Sequence, residues 1–396
     1  MSVVVLTASS DEQFREMVRD HLVNIPNAKV ASEYQEVAPN LYIRVMQDLE
    51  RNPHAALIID LAGDPDEALK ALERVKQATP DLYVIVSHYH SDGDIVISAM
   101  RAGANEFLVQ PLKRTEFKDA IARFERAPKR TGSVESKLGR IYTFLGAKGG
   151  VGTTTLAVNF AAIQAQRKRS TVLMDLDWAA NDVAMQLGAA PQYTLAEVAE
   201  NLSRMDQALF EGFVTRDPLG MYIVGPPDTI EHRGYFTEAH LREFTTFLIE
   251  KYDDIIIDGG KNLNDEAVMG ACQVSTTVFI VVQQDVPCIR NAQRYIAAMV
   301  RMGFSQDQIR VVVNQYSKKI GPNHASLEQI QQTLNQPVFY GIPSSAAVLA
   351  AINRARPLVA DRQAAPEMDR LLRAFVDKAT GAKIAKVGPT AIGKTA

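Results

Sequence analysis

A glycine-rich segment between a short apolar run and a helical pattern is well suited to bind an anion. Residues 144–156 read Phe-Leu-Gly-Ala-Lys-Gly-Gly-Val-Gly-Thr-Thr-Thr-Leu. Glycines let a backbone approach phosphate oxygens closely, and the N–H groups that open the next helix carry partial positive charge. We therefore predict a phosphate-binding loop whose backbone amides come from Gly149, Gly150, Val151, Gly152, Thr153, Thr154 and Thr155.

Two oxygen-bearing side chains near this loop suit a magnesium ion. The hydroxyl of Thr154 occupies the position from which such loops supply a Mg²⁺ ligand. Asp258 ends the apolar run 254–258, where a carboxylate can hold the ion directly or through water. Lys261 follows three residues later and could add charge near phosphate, although the sequence favours a solvated surface lysine. Thr154 and Asp258 are therefore the predicted metal ligands.

The segment Lys148-Gly149-Gly150-Val151-Gly152 resembles the deviant phosphate-binding loop of MinD/ParA ATPases. In that class, the lysine before the double glycine reaches the nucleotide of the partner subunit in an ATP-bound homodimer. The resemblance implies this role for Lys148, with ATP and Mg²⁺ as cofactors. It also makes Asp177 the switch I carboxylate that positions attacking water, and Asn314 the residue that binds adenine. A helix-capping acid and a turn residue are the respective alternatives.

Thr153 departs from the strict loop pattern, because most members of the class have a second lysine there. The departure resembles the TadZ/CpaE branch of pilus-assembly proteins, as do residues 278–292 and 341–358. A hydrogen bond to a charged group is worth about 1.5–3 kcal/mol, so its loss weakens ATP binding about tenfold to a hundredfold. We therefore expect ATP binding with slow or absent hydrolysis, and at most a weak ATPase.

The residues of the predicted site must be positioned by regular secondary structure. The sequence contains two regions in which short apolar runs alternate with amphipathic stretches. Such alternation predicts parallel sheets covered by helices on both faces. Residues 1–127 contain five predicted strands and residues 140–377 about seven. The segment 128–139 has linker composition, and residues 378–396 are predicted to form a basic, flexible tail, since they include lysines and no acidic residue. The predicted fold is α/β with two doubly wound domains, the first flavodoxin-like and the second a P-loop NTPase.

The first domain resembles the receiver fold of response regulators, but most of the matching chemical positions are empty. Asp60 falls at the phosphoacceptor position that ends the third strand. The acidic pair expected after the first strand is replaced by residues 7–10, Thr-Ala-Ser-Ser, and the expected lysine by Gln110. Asp60 is therefore interpreted as a vestigial, inactive phosphoacceptor. The resemblance implies a docking or dimerisation face around residues 94–102 and 115–126.

Composition excludes several classes of function. The chain has 396 residues, 46% of them hydrophobic and 22% charged, with a formal net charge of −3. These values are typical of globular domains and give no reason to expect a nucleic-acid partner. No apolar run reaches the roughly 18–20 residues of a membrane-spanning helix. A cytoplasmic protein is expected, and glycines and a proline in the tail leave only weak or indirect membrane contact.

The resemblance to TadZ/CpaE proteins implies a specific role. It predicts a homodimeric, ATP-binding localisation and assembly factor of the Tad (Flp-type) pilus secretion machinery, recruited to a cell pole or the inner face of the membrane. Its partners would be Tad secretion components or polar scaffold proteins. One alternative is a ParA/MinD-type partitioning or positioning ATPase. The other is a signalling response regulator with a nucleotide-binding output domain.

Overall fold

The computed structural model describes residues 3–35, 41–128, 138–226, 236–317, 325–361 and 363–381. Most of the predicted linker, 129–137, and most of the predicted tail, 382–396, lie outside these residues. The domain boundaries therefore stay predictions. Within the described ranges the chain forms two sheets flanked by helices, so the predicted α/β fold class is confirmed.

The first sheet has five parallel strands in the order β2-β1-β3-β4-β5. This is the order of flavodoxin-like doubly wound folds. The strands are β1 Val3–Ala8, β2 Ala28–Tyr34, β3 Ala55–Asp60, β4 Val84–His88 and β5 Glu106–Val109. The helices are α1 Glu12–Val23, α2 Leu41–Arg51, α3 Pro65–Ala78, α4 Gly93–Arg101 and α5 Arg114–Arg126.

The second sheet has eight strands in the order β13-β12-β11-β6-β10-β7-β9-β8. They are β6 Arg140–Gly146, β7 Thr171–Asp175, β8 Thr215–Arg216, β9 Tyr222–Val224, β10 Asp254–Asp258, β11 Thr277–Val282, β12 Ile309–Tyr316 and β13 Val338–Pro343. All pairs are parallel except β8 with β9, which is antiparallel at the edge. The sequence predicted about seven strands, and the two-residue β8 is too short to show an alternating pattern.

Ten helices accompany the second sheet in the described ranges. They are α6 Thr153–Gln166, α7 Asp182–Leu187, α8 Leu195–Asn201, α9 Gln207–Phe213, α10 Glu238–Ile249, α11 Glu266–Val274, α12 Val286–Arg301, α13 Leu327–Leu334, α14 Ala346–Asn353 and α15 Pro366–Thr380. Helix α6 is buried along most of its length, since the sheet lies on one side and α15 packs on another. It thus belongs to the core.

Four aromatic rings fix the centre of the second sheet beneath the glycine-rich loop. Phe144 of β6 lies 4.8 Å from Phe279 of β11 and 5.6 Å from Phe160 of α6, measured between ring centroids. Phe375 of α15 stacks edge-on against Phe279 at 5.1 Å. This packing holds β6 and α6 together, so the loop that joins them spans two rigid elements. The carboxyl ends of β6, β7, β10 and β12 meet at the same edge.

The two sheets are joined through helix α2, which packs against the end of α11. The Arg44 guanidinium donates from Nε and Nη2 to the backbone oxygen of Gln273, at 3.2 and 3.0 Å. Gln47 donates to the Thr276 hydroxyl at 3.1 Å. Arg44 therefore satisfies a carbonyl at the carboxyl end of α11, where positive charge also complements the helix dipole.

Candidate functional site

The glycine-rich loop has a backbone that only glycine can adopt without strain. Gly150 and Gly152 have φ angles of +80° and +85°, in the left-handed region. A Cβ atom at Gly152 would lie 2.4 Å from Asn314 Nδ2, and one at Gly146 would lie 2.4 Å from Thr153 Oγ1. Gly152 also offers no side chain to cap α6, so the first-turn N–H groups of this helix remain for an anionic ligand.

Two carboxylates end neighbouring strands beside this loop. Asp258 of β10 and Asp175 of β7 are paired in register, and both are fully buried. Burial raises the pKa of Asp258 to about 6, although hydrogen bonds from Thr154 and from the Gly260 N–H oppose this shift. Burial and the charge of Asp258 raise the pKa of Asp175 well above its ordinary value. The pair would be stabilised by a cation.

The donor set at Asp258 fits Mg²⁺. Its Oδ2 atom is buried and has no hydrogen-bond partner among the residues that the structure describes. The Thr154 hydroxyl lies within hydrogen-bonding reach of the same carboxylate. Mg²⁺ binds oxygen ligands and commonly takes only one or two from protein, the rest coming from water and substrate phosphates. The predicted ligands Thr154 and Asp258 are therefore brought together at the mouth of the loop.

Asp175 orients the segment that carries Asp177. Its Oδ1 accepts from the Asp177 N–H at 2.8 Å, and its Oδ2 accepts from the Val183 N–H at 3.2 Å. The Asp177 side chain accepts from Ala179 N–H at 3.1 Å and lines the cleft. Sequence reasoning named only Asp177, although the first acid of the Asp-Leu-Asp run was the available signal for Asp175. The role of Asp177 in positioning water stays a prediction.

Lys148 lies at the rim of the cleft and is half exposed. Its Nζ atom is 3.5 Å from Asp285 Oδ1, a carboxylate that also accepts from the Cys288 N–H at the start of α12. Exposed ion pairs of this kind contribute little to stability. The Lys148 side chain is thus free to leave Asp285 for another anion at small cost, as the predicted contact with a partner's nucleotide requires.

Asn314 reaches the loop from the end of β12. Its Nδ2 donates to Val151 O at 2.7 Å, so one amide hydrogen is already used within the chain. The next residue, Gln315, donates to Gly150 O at 3.2 Å and accepts from Gln283 at 2.8 Å. These two glutamines were missed, because nothing in their local sequence indicates a contact with the loop. The predicted role of Asn314 in binding adenine stays a prediction.

The glycine-rich loop and several of its neighbours line one cleft of about 670 Å³, a volume typical of small-molecule sites, while Asp175 and Asp258 lie buried behind its walls. Its walls include Lys148, Gly149, Thr154, Asp177, Lys261 and Asn314. Lys261 is an exposed residue, as the sequence favoured, and it also lines the cleft. The cleft opens at the carboxyl ends of the parallel strands, where α/β folds bind ligands.

At the predicted vestigial site of the first sheet, neighbouring groups of the chain donate hydrogen bonds to Asp60. Asp60 is 3% exposed, and its Oδ2 accepts from the Ser9 hydroxyl at 2.6 Å. Its Oδ1 accepts from Gln110 Nε2 at 2.7 Å and from the Ala62 N–H at 2.9 Å. Both carboxylate oxygens of Asp60 therefore accept hydrogen bonds within the chain. The inactivity itself stays a prediction.

The predicted docking face carries exposed apolar side chains. Ile97 and Met100 of α4 are 49% and 47% exposed. The use of this face for docking or dimerisation stays a prediction.

No helix in the described ranges is both long and apolar enough to cross a membrane.

The central parallel sheet, the glycine-rich loop and the buried strand-end carboxylates together define a P-loop NTPase of the MinD/ParA type. The sequence profile of the CobQ/CobB/MinD/ParA nucleotide-binding domain matches residues 142–358. Because this match covers more than half of the chain, the protein belongs to that family.

Individual relatives agree with this assignment. The putative septum site-determining protein MinD of Guillardia theta is 26% identical over 231 residues, covering 57% of this chain and 82% of that protein. A ParA-family ATPase from Chlorobium tepidum superposes with a TM-score of 0.55 at 20% identity, covering 62% of this chain and 98% of that chain. MinD from Pyrococcus horikoshii, solved with Mg-ADP, superposes with a TM-score of 0.52 at 22% identity, covering 63% of this chain and 98% of that chain. At such identities, the two solved structures establish the fold.

Proposed function

We propose that the protein binds ATP with Mg²⁺ in this cleft and thereby forms a homodimer that positions other proteins in the cell. The observation that carries the proposal is the buried Oδ2 of Asp258 beside Thr154, which has no hydrogen-bond partner within the described ranges. Thr154 lies in the uncapped first turn of α6 and Asp258 ends the strand β10, in a chain of the MinD/ParA family. A site of this kind offers oxygen ligands to a metal and backbone N–H groups to phosphate.

The residues of the cleft would have separate roles in binding the nucleotide. The amides of Gly149–Thr155 would hold the phosphates, and Thr154 and Asp258 would hold Mg²⁺, which neutralises charge on the β- and γ-phosphates when bound. Lys148 would leave Asp285 and contact the nucleotide of the partner subunit. Asp177 would orient water. Hydrolysis would be slow, because Thr153 places no positive charge where most members of the class have a lysine.

For the cellular role, we propose localisation and assembly of the Tad (Flp-type) pilus secretion machinery. The support is the resemblance of the Thr153-containing loop and of residues 278–292 and 341–358 to TadZ/CpaE proteins. A partitioning or positioning ATPase is the second candidate, favoured by the likeness to septum site-determining MinD. Loss of surface pili on gene deletion would support the first role, and misplaced septa or unequally segregated DNA would support the second.

Sedimentation velocity tests the nucleotide-dependent dimer. Wild type and Lys148→Ala would be compared with and without ATP·Mg²⁺, together with a turnover assay. We expect the wild type alone to dimerise on adding nucleotide, while both proteins bind ATP. The exposed Lys70 of α3 provides a matched control, and Lys70→Ala should behave as wild type. Dimers that form without ATP and survive Lys148→Ala would refute this mechanism.

A further inference from the structure

The cleft contains a lysine that the phosphate-binding loop itself does not supply. We propose that Lys261 makes the cationic contact with the nucleotide phosphates that Thr153 cannot make. This inference rests on the proposed ATP binding and assigns one residue of that same site. The cation would come from the loop after β10 instead of from the first turn of α6.

The first observation is the position of the ammonium group. A Cβ atom at Gly149 would lie 3.6 Å from Lys261 Cδ and 3.8 Å from Lys261 Nζ. Gly149 begins the run of amides that forms the phosphate-binding loop. The Lys261 side chain therefore lies at the mouth of this loop, within van der Waals distance of the Gly149 side-chain position.

The second observation is the anchoring of the Lys261 backbone. Gly260 O accepts from the Gly146 N–H at 2.7 Å, and Lys261 O accepts from the Tyr295 hydroxyl at 2.6 Å. Gly260 turns the chain with a φ of +58°, and its N–H donates to Asp258 Oδ1 at 3.1 Å. Lys261 is thus tied to the start of the loop, to α12 and to the predicted metal ligand. These hydrogen bonds fix the backbone position from which the Lys261 side chain extends.

The third observation is the charge around Lys261. In the part of the chain that the structure describes, no carboxylate lies within ion-pair distance of its Nζ atom, whereas Lys148 is paired with Asp285. Lys261 does act on the cleft electrostatically. Burial raises the pKa of Asp182, and the positive charge of Lys261 opposes this rise. A cation without an ion-pair partner, beside an uncapped helix start, suits a polyphosphate better than a neutral ligand.

Nucleotide affinity tests the proposal. ATP, ADP and AMP would be titrated in the presence of Mg²⁺ into the full-length wild type, Lys261→Met and Lys261→Arg by calorimetry. Lys261→Met keeps the apolar stem and removes the charge. We expect it to bind ATP and ADP about tenfold to a hundredfold more weakly, the effect of losing one charge-assisted hydrogen bond. AMP should be affected least, and Lys261→Arg should retain most of the affinity.

Two controls separate this inference from its alternatives. Lys118→Met removes an exposed lysine of α5, outside the cleft, and should bind all three nucleotides as wild type does. The unfolding temperature of the nucleotide-free Lys261→Met protein should equal that of wild type. Wild type that binds ATP no better than Lys261→Met would overturn the proposal, as would an equal loss for AMP and ATP. A wild type that binds no ATP would instead overturn the proposed function.

Discussion

Replacing Asp258 with asparagine should stabilise the nucleotide-free protein while removing its response to Mg·ATP. The substitution preserves shape, and an amide oxygen can still accept from Thr154 and from the Gly260 N–H. It removes a charge that the fold buries completely next to Asp175. Burying a carboxylate without a compensating cation costs free energy, so the wild-type protein without ligand carries this cost at neutral pH.

The size of the effect follows from the pKa. Burial raises the pKa of Asp258 from an ordinary 3.8 to about 6, which corresponds to about 3 kcal/mol at about 1.4 kcal/mol per pKa unit. Below about pH 4 the carboxyl group is protonated in both the folded and the unfolded state, and this cost is absent. As the pH rises from about 4 through about 6, stability is lost. Above this range the full cost applies.

Thermal unfolding of wild type and Asp258→Asn between pH 4.5 and 8 would measure this difference. For a domain of this size, about 3 kcal/mol shifts the unfolding temperature by about 6–12 °C. Asp258→Asn should exceed wild type by up to that amount at pH 8 and by much less at pH 4.5. Saturating Mg·ATP should stabilise only the wild-type protein. At a hundredfold excess of ligand over Kd, its free energy of unfolding should rise by about 3 kcal/mol.

The exposed Asp81 supplies the charge-matched control, and Asp81→Asn should leave both the pH profile and the nucleotide response unchanged. An Asp258→Asn protein no more stable than wild type at pH 8 would refute the electrostatic argument. Equal stabilisation of both proteins by Mg·ATP would refute the assignment of Asp258 as a metal ligand.

Three further predictions test other parts of the molecule. Thr153→Lys should bind ATP at least tenfold more tightly and hydrolyse it faster, as measured by titration and phosphate release; unchanged values would show that the threonine is not limiting. Arg44→Ala should lose about 1–3 kcal/mol of stability and hydrogen-exchange protection near Gln273, because a charged hydrogen bond to α11 is removed. Asp60 should stay unmodified with acetyl phosphate on phosphate-affinity gels, since Ser9 and Gln110 occupy its carboxylate; a shifted band would contradict this.

The parts of the site that lie within one continuous segment could be predicted from the sequence. The loop Gly149–Thr155 and the strand ending at Asp258 each carry their own local signal, because glycine spacing and apolar runs reflect backbone geometry directly. Lys261 could not be predicted in the same way. Its approach to Gly149 depends on the register of β10 against β6 and on a hydrogen bond from Tyr295, which is distant in sequence.

Helix α2 was not predicted from the sequence, although its residues carry a helical signal. Its first three residues, Leu41, Tyr42 and Ile43, are all buried, and so is Met46. One side of the helix faces its own sheet, while Arg44 on another side contacts α11. The polar residues of α2 recur among its apolar residues at helical spacing, so the helix has an amphipathic pattern that the sequence analysis missed. The short apolar run at its start, taken alone, does not distinguish a helix from a strand.

The two lysines of the cleft have different surroundings, and this difference separates binding from dimerisation. Lys261 is anchored within its own subunit, next to Asp258, so its charge would serve the nucleotide bound by the same chain. Lys148 is half exposed and pairs with the surface carboxylate of Asp285, so it can turn outward at small cost. Removal of Lys261 should therefore weaken nucleotide binding and, through it, dimerisation. Removal of Lys148 should abolish dimerisation and leave binding in place.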